Sequence, residues 1–105
     1  EIDAKVLAGH FHNTYGMAIA NIYQSLLQGI RVFDSSIAGL GGCPYAKGAS
    51  GNVSTEDLYY LLSKMGYETA IQLDALMQAS RNISEVLQRN NPSNYANAYW
   101  QKACA

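Results

Sequence analysis

KVLAGHFHNTYGMAIANIYQSLLQGIRVFDSSIA, residues 5–38, sets a longer amphipathic segment between two short apolar ones. The first, Lys5–His12, has the length and flanking signals of a buried strand rather than a helix. From Tyr15 the apolar residues Tyr15, Ala18, Ile19, Ile22, Tyr23, Leu26 and Leu27 recur at helical spacing. Asn13 or Thr14 stands where an N-cap belongs, and Gly29 where a left-handed C-cap belongs. Arg31–Ala38 then has the length and β-branched content of a second strand. Strand, helix and strand with short joints form a βαβ unit, which implies parallel strands and a right-handed crossover.

Working outward, GLGGCPYAKGASGN (39–52) is a glycine-rich loop holding Cys43. Ser54 with Asp57 three residues later has capping-box spacing and opens a helix whose apolar face is Leu58, Leu61, Leu62 and Met65, closed by Gly66. A further helix is expected from near Thr69, turning Leu73, Leu76, Met77, Ile83, Val86 and Leu87 inward until Asn90, Asn91 and Pro92 stop it. The tail, with Tyr95, Tyr99 and Trp100, is too aromatic for a free linker and is expected to pack on something, a partner subunit being one choice. Residues 1–91 are thus read as one α/β unit and 92–105 as its tail. Two or three strands make a poor closed sheet, and a parallel sheet needs cover on both faces. The chain therefore reads as the C-terminal part of a larger α/β fold.

The 105 residues are 49% apolar and 14% charged with a net charge of -1, the composition of a compact soluble domain. Lys and Arg are scattered singly, which gives no basic stripe for nucleic acid and no polybasic patch for a membrane. No apolar run approaches the roughly 20 residues that span a bilayer. Cys43 and Cys104 are too few and too far apart for a disulfide framework, which fits a reducing compartment. The first residue is Glu1, so a processed or truncated chain, or the visible part of something longer, is expected.

Chemistry concentrates in two places. On a strand, His10 and His12 point to the same face about 6.5–7 Å apart, close enough to share a metal ion. On a helix they would diverge by about 200°. The same pair also reads as two strand-end histidines satisfied by hydrogen bonds, and spacing alone does not choose between these. Asn52 ends a glycine-rich turn before a helix, where its side-chain oxygen is a candidate third ligand; taken alone, it reads better as a turn residue. Imidazole with amide oxygen suits Mg, Mn or Zn and speaks against a closed structural zinc site. Cys43, among Gly39, Gly41, Gly42 and Pro44, is a candidate proton donor, base or nucleophile carried on a loop, or an exposed incidental thiol. Glu56 and Asp57 sit in a first helical turn, where negative charge meets the positive end of the dipole; a duty for Glu56 behind the metal ligands is secondary.

Taken together, HFHNTYG (10–16), AIAN (18–21), FDSSIAGLGGCPYAKGASGN (33–52) and STEDL (54–58) resemble the 3-hydroxy-3-methylglutaryl-CoA lyases, from about Val6 to Leu87. The wider superfamily of metal-dependent TIM-barrel lyases and Claisen-type synthases is similar at the HxH pair and at the later Gly-Asn; synthases lack the GCPYA cysteine. The resemblance implies a (β/α)8 barrel, of which this chain would supply about strands 6 to 8 with their helices. It implies cleavage of a CoA thioester, 3-hydroxy-3-methylglutaryl-CoA, to acetyl-CoA and acetoacetate. By that likeness His10, His12 and Asn52 ligate Mg or Mn, and Cys43 protonates the departing acetyl-CoA enolate as the Gly41–Gly42 loop closes. Asn13 departs from the Asp found in many lyases, with little harm expected to metal binding.

The family's first strand carries an Asp-Arg-Glu motif that these residues lack. An eight-stranded barrel takes roughly 250 residues, so this polypeptide alone is expected to have no appreciable lyase activity. A homodimer or higher oligomer, in a bacterial cytoplasm or a mitochondrial matrix, is the expected setting. Two other readings stay open: a non-catalytic piece that covers its exposed edges by self-association or by docking on a partner, and a superfamily synthase running the condensation.

Overall fold

The structure, a computed structural model, describes residues 2–42 and 50–104, the last three by backbone only. Two parallel strands, β1 (Ala8–His10) and β2 (Val32–Asp34), pair in the register Ala8↔Val32, Gly9↔Phe33 and His10↔Asp34. The helix α1 (Ala18–Leu27) connects them, so the βαβ unit expected from residues 5–38 is present. Its strands are shorter than Lys5–His12 and Arg31–Ala38. Asp3 accepts a hydrogen bond from the Lys5 N–H and winds Ala4–Val6 into a 3-10 turn before β1 begins. Beyond Asp34 the chain leaves β2, Ser36 pairs with Ser54, and Ile37–Gly39 turns with Ala38 at φ 54°. A third strand, included in the expected span of strands 6 to 8, is absent among the described residues.

The start of α1 is also later than the apolar spacing predicts. Tyr15 and Gly16 have φ of 56° and 71°, outside the helical range, and Asn13 caps the helix by accepting from the Ala18 N–H at 3.2 Å. Its far end follows the sequence: Gly29 has φ 98° and the Ile30 N–H reaches back to the Ser25 carbonyl at 3.1 Å.

Helix α2 (Thr55–Lys64) opens on Ser54, whose Oγ accepts from the Asp57 N–H at 3.1 Å, and closes before Gly66. Helix α3 (Leu73–Val86) starts after the expected Thr69 and stops before Asn90. Gln88, at φ 52°, takes the left-handed closing position, and the Arg89 N–H bonds the Ser84 carbonyl at 3.1 Å. The helix thus ends before its expected apolar face does, leaving Val86 75% and Leu87 48% exposed rather than inward.

The tail forms α4 (Asn94–Cys104) and packs on α2 within the same chain. Asp57 takes hydrogen bonds from Ser93 Oγ at 2.9 Å and from the Tyr95 N–H at 3.0 Å, satisfying donors at the start of α4. Burial, with Tyr59 and Tyr60 adjacent, holds the Tyr95 phenol above its usual pKa, so it stays neutral in this aromatic contact.

Two cores result. Ala18, Ile22, Leu26, Val53 and Leu58 join α1 to α2, and Leu76, Met77 and Ala96 join α3 to α4. Ile22 is fully buried. Ile22→Ala is expected to lower unfolding free energy by about 2–5 kcal/mol, read as a shifted urea midpoint at unchanged slope; a loss below about 1 kcal/mol would mean that this core is not packed as described. Outside the cores, Val6, Leu7, Leu27 and Val32 remain exposed around the sheet.

Candidate functional site

His10 is the last residue of β1, and the strand pairing sets it opposite Asp34. Its Nδ1 lies 3.1 Å from Asp34 Oδ2. A carboxylate only accepts, so Nδ1 carries the proton of the neutral ring and Nε2 keeps a free lone pair. His12 lies past the strand end, in a single antiparallel bridge with Asn52. Its Nδ1 is 3.1 Å from the Ser50 carbonyl, also an acceptor only, so its Nε2 is left free in the same way. The two ring centroids are 5.6 Å apart.

Asn52 is fixed from several sides. Backbone bonds from Asn13 N–H to the Gly51 carbonyl and from Val53 N–H to the Phe11 carbonyl, both 3.0 Å, flank the His12–Asn52 bridge. Asn52 Nδ2 donates to the Leu40 carbonyl at 2.9 Å. That leaves Asn52 Oδ1 buried with no hydrogen-bond partner. Such an atom costs about 1–3 kcal/mol unless something satisfies it. A cavity of about 60 Å³, lined by Asn13, Gly39, Ser50, Asn52 and Pro92 among others, lies against this residue and has room for a few waters.

This close approach depends on glycine. A Cβ on Gly51 would strike the carbonyl oxygens of Gly39 and Gly41, and one on Gly41 would stand 2.6 Å from Asn52 Nδ2. Gly41 also has φ 94°, a conformation that side chains resist. Gly42 is exposed beside it. Cys43 lies outside the described residues.

The structure therefore sets the His10 ring beside that of His12 and bridges His12 to Asn52 through the backbone. Glu56 is directed elsewhere. It is fully buried, both its oxygens accept from the Ala38 N–H at 3.1 and 3.0 Å, and Ser80 Oγ donates to it. Asn91 Nδ2 in turn donates to Ser80 Oγ at 2.6 Å. Glu56 thus fastens the turn that leads into the glycine loop, and its hydrogen bonds are not to the candidate ligands. Sequence reasoning passed over Asp34 and the carbonyls of Leu40 and Ser50. A charged residue ending an otherwise apolar strand was the available signal for Asp34; backbone acceptors leave none.

Known proteins bear on the same residues. A family model described as HMGL-like matches residues 2–83. The chain is 56% identical over 103 residues to the 3-hydroxy-3-isohexenylglutaryl-CoA/hydroxy-methylglutaryl-CoA lyase of Pseudomonas aeruginosa, covering 98% of this chain and 34% of that protein. It is 57% identical over 95 residues to the mitochondrial hydroxymethylglutaryl-CoA lyase of Arabidopsis thaliana, covering 90% of this chain and 20% of that protein. A solved HMG-CoA lyase from Acinetobacter baumannii, in complex with coenzyme A and 3-methylmalate, superposes with a TM-score of 0.84 at 45% identity, over 92% of this chain and 32% of that one. The chain spans about a third or less of the length of these relatives. With a family match over most of its residues, this chain belongs to the HMGL-like family.

Proposed function

We propose that this chain is part of a divalent-metal-dependent carbon–carbon lyase that cleaves 3-hydroxy-3-methylglutaryl-CoA to acetyl-CoA and acetoacetate. The observation that carries the reading is a pair of adjacent histidines whose Nδ1 atoms are both engaged, His12 being bridged through its backbone to Asn52, whose side-chain Oδ1 is buried without a partner. Lone pairs on His10 Nε2, His12 Nε2 and Asn52 Oδ1 are left without a hydrogen-bond partner, and the proposal assigns them to one ion. Nitrogen and neutral oxygen donors with an incomplete shell fit Mg or Mn with room for substrate. Bound there, such an ion supplies Lewis-acid stabilisation of negative charge on substrate oxygens.

The remaining roles belong to the chain. His10 and His12 hold their rings on one side of the sheet end, and Asn52 is braced by Leu40 and by the glycines around it. The tertiary hydroxyl loses its proton to water, the oxygen's electron pair closes to the ketone of acetoacetate as the bond between the thioester CH2 and the carbinol carbon breaks, and that bond's electron pair leaves on the acetyl-CoA side as an enolate. Cys43 delivers the proton that makes this acetyl-CoA and prevents re-addition. The lyase names of the relatives support cleavage over the synthase direction. The complex of the Acinetobacter protein with coenzyme A supports a CoA thioester as substrate class. Bacterial and mitochondrial relatives support either compartment for this chain.

These residues would form two βα units of a (β/α)8 barrel. Exposed Val6, Leu7, Leu27 and Val32 support cover by the rest of such a barrel, in a homodimer or higher homo-oligomer. The test is an assay of the full-length protein carrying this chain, with Mg or Mn and after chelation, beside the 105-residue chain. Metal-dependent cleavage by the first and none by the second is expected. Turnover that survives chelation would end the metal reading, and turnover by the short chain would end the claim that it is only a part. An intact mass near 11.4 kDa for the native species would instead favour self-association or docking of a non-catalytic piece.

A further inference from the structure

We infer that Asp34 is a positioning residue: it fixes the tautomer and ring orientation of His10, so that His10 Nε2 is presented as a metal donor. The inference rests on the metal reading above and adds a residue to it. A neutral imidazole carries one proton, which either nitrogen can hold. A metal donor must keep Nε2 bare, so the proton has to be drawn to Nδ1 by an acceptor on that side.

The two histidines meet this requirement in different ways. His12 Nδ1 faces the Ser50 carbonyl, which backbone geometry fixes and side-chain substitution leaves in place. His10 Nδ1 faces a side chain, Asp34 Oδ2 at 3.1 Å. The β1–β2 register sets Asp34 directly across from His10, on a neighbouring strand rather than nearby in sequence. Asp34 has no other side-chain hydrogen bond among the described residues, and its side chain is 64% exposed. It contributes nothing to either core, so its removal is expected to leave the fold intact.

The experiment uses the full-length protein carrying this chain, labelled with 15N-histidine, as wild type, Asp34→Ala and Asp34→Asn. Long-range nitrogen–proton NMR of the metal-free protein reads the tautomer of each ring directly, and Mn2+ titration followed by electron paramagnetic resonance reads affinity. Wild type is expected to hold both rings with the proton on Nδ1. Asp34→Ala is expected to mix the His10 tautomers, leave His12 unchanged, and weaken Mn2+ binding by about 10–100-fold. Asp34→Asn keeps an acceptor oxygen and is expected to restore most of both readouts, which a role in bulk charge alone would not allow. An unchanged His10 tautomer in Asp34→Ala, or Mn2+ binding within twofold of wild type, overturns the inference. If wild type itself binds no Mn2+, the metal reading fails, while the tautomer measurement still decides whether Asp34 orients His10.

Discussion

Cys43→Ala in the full-length protein is expected to lower kcat for cleavage of 3-hydroxy-3-methylglutaryl-CoA by about 10²–10⁴-fold, the usual share of a positioned proton donor. The reaction leaves a carbanion equivalent beside a new ketone, and re-addition competes with every turnover until the carbanion is protonated. An alanine offers no proton, so commitment to products falls. KM and Mn2+ affinity should change little, since the thiol is not among the three donors left at His10, His12 and Asn52. Parallel steady-state kinetics and metal titration would check this split. Full cleavage activity in the alanine variant would remove Cys43 from the mechanism and favour a condensing synthase.

Glu56→Ala is expected to cost about 3–5 kcal/mol of stability, a large part of the roughly 5–15 kcal/mol that holds a domain together. The carboxylate is fully buried and accepts from the Ala38 N–H and the Ser80 hydroxyl, both on buried residues. Removing it strands these donors at about 1–3 kcal/mol each and adds the cost of an empty volume. Glu56→Gln keeps the shape but turns a donor toward a donor, so an intermediate loss is expected. Urea unfolding of the three proteins gives the order wild type, Gln, Ala. An alanine variant within 0.5 kcal/mol of wild type would show that the Ala38–Glu56–Ser80–Asn91 chain does not hold the turn.

The second effect reaches the site. Ala38 opens the segment whose Leu40 carbonyl braces Asn52, so slackening at Glu56 should loosen a candidate ligand through backbone alone. Glu56 was read in the sequence as a helix-dipole charge with a secondary duty near the ligands. Burial and partners on two other elements make it instead a fastening between α2, α3 and the loop stem.

The local grammar of this protein is written in short stretches of its chain. The Ser54–Asp57 cap, the closures at Gly29 and Gly66, the apolar face of α2 and the parallel pairing of two strands were legible, whereas of the apolar residues expected on α1 only Ala18, Ile22 and Leu26 are buried and Tyr15, Tyr23 and Leu27 are exposed. The caps, closures and helix faces rest on bonds or periodicities confined to a few neighbouring residues, and the parallel pairing on the strand–helix–strand order. The HxH pair and the glycine loop were legible as chemistry, although not as a site. Tertiary structure decided the rest. Strand ends depended on where Ser36 and His12 found partners, Ser54 and Asn52, far along the chain. The end of α3 at Val86 came from a left-handed Gln88 that no residue-type preference announces. His10 acquired Asp34, and Asn52 was left with a bare buried oxygen, because the β1–β2 register and the packing of Gly51 on Gly39 and Gly41 put those atoms there. Such pairings join residues distant in sequence, and which polar atom is satisfied or stranded is settled only when the backbones meet.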